Sequence, residues 1–142
     1  MCQRGVYLAA CAALLLAGCS TESETPPAPE VVAPAAVVVP RIDAVEVGVT
    51  FNGLIVSALG RGPGEGWRDV RLLPRGLSDD GAFVFDMTAL PPTGAVPGVA
   101  QRLRADLPIS RSDIAGAARV RVRGAEGAID AVVPPAPQPA PR

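Results

Sequence analysis

The stretch Ala118-Arg119-Val120-Arg121-Val122-Arg123-Gly124-Ala125-Glu126-Gly127-Ala128-Ile129-Asp130-Ala131-Val132-Val133 decides the fold. Ala118, Val120 and Val122 alternate with Arg119, Arg121 and Arg123; beyond Gly124 to Gly127, Ile129, Ala131 and Val133 alternate with Asp130. Successive side chains of a strand point to opposite faces, so each half has one core face and one water face. Pairing Gly124 with Gly127 sets Val122 opposite Ile129, Val120 opposite Ala131 and Arg121 opposite Asp130. A slip of one residue would break the apolar and the charged matches together, which fixes the register of the hairpin. Ala125 and Glu126 are not the usual residues of a tight primed turn, so the turn type stays open.

Upstream, the same period of two recurs. Val45, Val47, Val49 and Phe51 share one parity and are expected on a core face, with Glu46 and Thr50 on the other. Leu54 to Leu59 is a short apolar run, Trp67 to Leu73 and Ala82 to Met87 are further candidates, and Phe83, Phe85 and Met87 share a side. From Val99 to Ile109, Leu103, Ala105, Leu107 and Ile109 face one way and Arg102, Arg104 and Asp106 the other. Loops are expected at Gly60 to Gly66, Arg75 to Gly81 and Pro91 to Gly98, and one helical turn at Ser112 to Ala115, capped by Ser110 or Ser112. Six or seven short strands with turns between them predict an all-β fold, a small antiparallel β-sandwich. An immunoglobulin-like arrangement is among the options, and a small open β-barrel is the alternative.

These strands fill residues 41–133, the length of one small domain. The whole-chain figures, 49% apolar and a formal charge of −1, mislead because Ala and Val concentrate in the flanking segments. Residues 134–142 carry five prolines, which predicts an extended or disordered tail. Residues 19–40 form a Pro- and Ala-rich linker whose backbone favours polyproline II, reaching at most roughly 60 Å at about 3.1 Å per residue. Val37 to Val39 stand at its end and could instead begin the first strand.

The opening segment has Arg4, then uncharged, mostly apolar residues from Val6 to Ala17, then small residues before Cys19. This is the layout of an export signal, residues 1–18, and its apolar run falls short of the roughly 20 residues that span a bilayer. The tetrad Leu16-Ala17-Gly18-Cys19 resembles the lipobox of bacterial lipoproteins, a resemblance confined to the first nineteen residues. It implies cleavage between Gly18 and Cys19, a diacylglyceryl group on the Cys19 thiol and often an acylated amino group. The expected location is the bacterial cell envelope, held to a membrane through lipid on Cys19. Ser20, where an inner-membrane signal would carry Asp, resembles the outer-membrane rule, with the domain facing the periplasm. Cys2 and Cys11 lie in the part removed, so the mature chain keeps no cysteine pair for a disulfide framework or CxxC centre.

Residue types narrow the chemistry. The chain has no His and no Lys, which removes the usual general base near neutral pH, Ser or Cys triads, Schiff bases and most transition-metal sites. An enzyme would need Asp79, Asp80 or Asp86 to converge with another carboxylate, and the expectation is no enzyme and no cofactor. The Gly60 to Gly66 loop lacks the Gly-Lys-Ser/Thr ending of a phosphate loop, and Ser78-Asp79-Asp80-Gly81 lacks the spaced oxygens calcium needs. Trp67 reads as a core plug, with a partner-binding edge as the alternative. Arg119, Arg121 and Arg123 share one strand face and Arg102 and Arg104 another. If those strands are neighbours they make a surface for phosphate or carboxylate. If not, the face is merely solvated, with Arg121 neutralised by Asp130 and the others by Asp106 or Glu126. Export excludes nucleic acid as the natural partner. The expected role is non-catalytic, binding an envelope protein or cell-surface polymer; the alternative is an anionic glycan or lipid headgroup on the Arg face.

Overall fold

A computed structural model describes residues 34–94 and 97–136. The signal segment, Gly18, Cys19, most of the linker and the tail beyond residue 136 therefore lie outside the described residues. Eight strands make the fold: β1 (Val37–Val38), β2 (Arg41–Thr50), β3 (Gly53–Gly62), β4 (Arg68–Leu77), β5 (Ala82–Leu90), β6 (Gln101–Ile109), β7 (Arg119–Arg123) and β8 (Ala128–Val132). They form two sheets packed as a sandwich, not a closed barrel. The smaller has the order β2-β3-β6; the larger is centred on β5, with β4 on one side and β1 and β7 on the other, and β8 beyond β7.

The terminal hairpin has the register expected of it. Val120 stands opposite Ala131, Arg121 opposite Asp130 and Val122 opposite Ile129, and the Gly124 amide donates to the Gly127 carbonyl at 2.7 Å. Val120 and Val122 are fully buried, as the alternation requires, and Leu103 and Ala105 on β6 are buried likewise. Between the sheets they meet Leu54, Val56, Ala58, Phe85 and Met87. The pair β5–β7 is parallel, which a chain of hairpins cannot produce; the chain reaches β7 only after crossing to the smaller sheet for β6.

Four differences from the sequence reading have local causes. Phe51 does not face the core: the chain reverses between Thr50 and Gly53, leaving Phe51 at the turn and fully exposed. The strand before residue 81 runs on to Leu77 although Pro74 and Gly76 look like loop punctuation. An edge strand tolerates proline, and the register shift between Pro74 and Gly76 is a bulge in which Gly76 takes φ +104°. Val37 and Val38 pair with Ala89 and Thr88, and Val39 is fully buried, so the sheet begins inside the stretch assigned to the linker. Residues 111–116 form successive turns rather than a helix. There the Asp113 carboxylate accepts from the Ser110 amide and the Ser110 hydroxyl from the Asp113 amide, an end cap on a turn too short to propagate.

Trp67 is 9% exposed and belongs to the core. Its indole Nε1 donates to the Pro63 carbonyl at 3.1 Å, and Gln101 locks its backbone, accepting from the Trp67 amide and donating to the Trp67 carbonyl. The ring packs against Gly62, where an added Cβ would stand 2.5 Å from the indole Cε2 and Nε1. Gly62→Ala is therefore expected to destabilise the fold by about 1–3 kcal/mol through overpacking. Urea unfolding followed by tryptophan fluorescence checks this, and the native emission of the variant should shift to the red as the sole tryptophan is pushed toward water.

Candidate functional site

The outer face of the larger sheet carries a charge ladder rather than a positive patch. Within it Arg119, Arg121 and Arg123 point away from the core because Val120 and Val122 point into it. Arg121 sits centrally. It grips Asp130 through Nε at 2.6 Å and Nη2 at 2.8 Å, and Asp80 through Nη2 at 2.8 Å. Arg119 donates to the Asp80 carbonyl at 2.9 Å and lies 3.4 Å from Asp130. Arg123 donates to Asp86 at 2.7 Å, and Asp86 accepts a second bond at 2.6 Å from Arg75 on β4. The ladder thus ties β4, β5, β7 and β8 edge to edge.

Of the expected partners Asp130 and Asp106 take their places. Asp106 accepts from Arg104 on its own strand, at 2.8 and 3.0 Å, and from the Ser57 hydroxyl, while the β7 arginines recruit Asp80 and Asp86 as well. The reason is topological: parallel pairing brings β5 and the turn before it alongside β7. The joint Arg surface is also corrected. Arg102 and Arg104 lie on β6 in the other sheet, where β6 pairs with β3 and not with β7.

The titrations follow from these contacts. The Asp80 carboxyl is pulled down to about 2, first by the Ser78 hydroxyl and then by Arg121. Burial pushes the Asp86 carboxyl up, yet hydrogen bonds from Arg123 and Arg75 outweigh it and hold the group below the usual carboxylate range. Asp130 is lowered chiefly by Arg121, and Arg121 is raised in turn by Asp130 and Asp80. Asp80 and Asp130 do converge, on the one guanidinium of Arg121. Both are held ionised, however, whereas a paired-carboxylate acid needs one member pushed up toward neutrality. Asp79 lies in the turn before β5. Among the described residues no group of three or more His, Cys, Asp or Glu side chains could hold a metal.

A second cluster was not anticipated. Arg41 stands opposite Arg61, and Arg61 opposite Arg102, so three arginines form one row across β2, β3 and β6 on the outer face of the smaller sheet. Among the described residues one carboxylate pairs with two of them: Asp43 accepts from Arg61 at 2.7 Å and lies 3.5 Å from Arg41. Like charges directly opposite one another oppose sheet formation. Arg61 could have been placed from sequence, since it continues the alternation of Ser57 and Leu59; Arg41 could not, because the register shifts between Ile42 and Ala44.

Compared with protein-family models, with curated proteins and with solved structures, the chain matches none. Function must therefore be argued from these side chains. Among the described residues no helix is long and apolar enough to cross a membrane.

Proposed function

We propose that this chain is a lipid-anchored, non-catalytic binding domain of the bacterial envelope: a β-sandwich tethered through Cys19 that contacts another envelope protein or a cell-surface polymer. The observation that carries the reading is the state of its acids. Among the described residues every carboxylate with a displaced pKa (Asp80, Asp86, Asp106, Asp113 and Asp130) is displaced downward by hydrogen bonds within the domain. Groups committed in this way brace a sheet and are poor proton donors. The lipobox tetrad supports the anchor, and the Pro-rich stretch before Val37 supports a spacer between lipid and domain.

A second reading rests on the Arg41, Arg61 and Arg102 row, whose forked donors suit phosphate or carboxylate groups. It moves the anionic-ligand alternative from the β7 face, where arginines are matched by acids, to the smaller sheet. One experiment serves both. In-cell crosslinking of the full lipidated protein is expected to give one dominant adduct, lost when residues 34–136 are deleted. Adduct unchanged in Arg61→Glu/Arg102→Glu supports the first reading; at least about tenfold less supports the second. Equal adduct from anchor and linker alone would overturn both.

A further inference from the structure

Strand β6 is an unpaired edge. It hydrogen-bonds to β3 along one side, and among the described residues no strand hydrogen-bonds to the other, although β4 of the larger sheet packs near it. The remaining edges are short or irregular: β2 and β4 carry register shifts, and β8 has five residues. By contrast β6 runs nine residues, Gln101–Ile109, in unbroken register. A long, regular, unpaired edge is a template for another strand, and folds ordinarily blunt such edges.

The hydrogen-bonding phase of that edge follows from the turn at Phe51 and Asn52. Thr50 and Gly53 close the turn as a pair, so Gly53 directs its backbone groups to β2, and alternate residues Leu54, Val56 and Ala58 direct theirs to β6. Their partners are Ile109, Leu107 and Ala105. Arg102, Arg104 and Asp106 therefore turn both N–H and C=O to the free side. Pro108 falls in the same phase; with no N–H it costs the ladder to β3 nothing, but it offers the free side a carbonyl only, so a strand paired there forms one bond fewer opposite it. Among the described residues none of these four makes a backbone bond outside the strand ladder.

We propose that β6 pairs antiparallel with the β6 of a second copy of this chain, about a twofold axis at Ala105, joining the two smaller sheets edge to edge. Charge selects the register. Centring the pair on Arg104 sets two arginines face to face, and centring it on Asp106 sets two aspartates. Centring on Ala105 places each Arg104 opposite the other copy's Asp106, where the two exchange both backbone bonds. It also places each Leu103 opposite the other copy's Leu107 on the core face, so charged and apolar matches coincide. The flank asks to be covered for a second reason. Below β6 an apolar cleft of about 340 Å³ opens between the sheets, lined by Leu72, Phe83, Phe85, Leu107 and Ile109. Val99, just before the strand, is 82% exposed, and Leu77 at the end of β4 is 57% exposed.

Sedimentation velocity of the full chain over a concentration series is the test. Arg104→Asp alone and Asp106→Arg alone each place like charges opposite twice per pair and should raise the dissociation constant at least about tenfold. The double variant Arg104→Asp/Asp106→Arg restores the complementarity and should return to within about threefold of the parent. A second measurement needs no substitution: amide exchange at Arg102, Arg104 and Asp106 should slow as concentration rises, while Leu103, Ala105 and Leu107 stay as they are. A parent monomeric at every concentration, a double variant no tighter than the singles, or exchange at Arg104 independent of concentration would each overturn the proposal. Dimerisation lost and regained in that pattern confirms it.

Discussion

Cys19→Ser is expected to abolish membrane retention of the exported chain outright, and with it all incorporation of labelled palmitate. The magnitude follows from the chemistry of the proposed anchor. Each buried methylene contributes about 0.8 kcal/mol, a single myristoyl chain binds only marginally and reversibly, and two or three chains make release negligible. Among the described residues no helix is long and apolar enough to span a bilayer in its place. Fractionation with radioactive palmitate reads the result. A parent protein that stays unlabelled, or a mature amino terminus other than residue 19, would refute the anchor while leaving the sandwich and its edge untouched. A Cys19→Ser chain that has lost residues 1–18 and still pellets with membranes at the parent level would relocate the attachment to the domain, with the Arg41, Arg61 and Arg102 row as the first suspect.

What could be read in the sequence was what is local. The β7–β8 hairpin depends on residues within a few positions of a turn, so its register, and the Arg121–Asp130 pair nine residues apart, were both accessible. Asp80 reaches Arg121 and Asp86 reaches Arg123 across separations of 41 and 37 residues, through a parallel pairing that follows a crossover between sheets. No spacing in the sequence encodes that approach. A signal for Asp86 nevertheless existed: it is the lone charge between Ala82 and Leu90, a strand apolar on both parities and hence central. A buried acid in such a strand requires cationic neighbours. The candidate surface fared differently. Trp67 proved to be core, and the arginines proved to be three sets: two matched by acids and one, at Arg102, joined by two residues the alternation had not gathered. The valine triplet was ambiguous for a simple reason: β-branched residues suit an edge strand and an extended linker alike, and only contact with Ala89 and Thr88 separates them.

Asp86 supplies the largest stability effect expected within the domain, and its two sides are unequal. The residue is 4% exposed, whereas the side chains of Arg75 and Arg123 are about half exposed and lie over it. Removing the acid, as in Asp86→Asn, leaves two guanidinium groups that can turn to water, so the loss is modest. Removing both bases, in Arg75→Ala/Arg123→Ala, strands a carboxylate away from water, and breaking a buried pair in this way costs about 3 kcal/mol at neutral pH. The pH dependence separates this from simple loss of packing. In the parent, Asp86 lies below the unfolded value of about 3.9, so its contribution is fully present above that value and is lost as pH falls through the folded pKa. In the double variant only burial remains, the folded pKa moves above the unfolded one, and protonation now favours the fold. The gap in urea midpoint between variant and parent should therefore be widest near pH 7 and close progressively as the pH is lowered toward 4. A gap of constant width across that range would mean that the arginines act through their aliphatic stems alone and that Asp86 is no centre of charge balance.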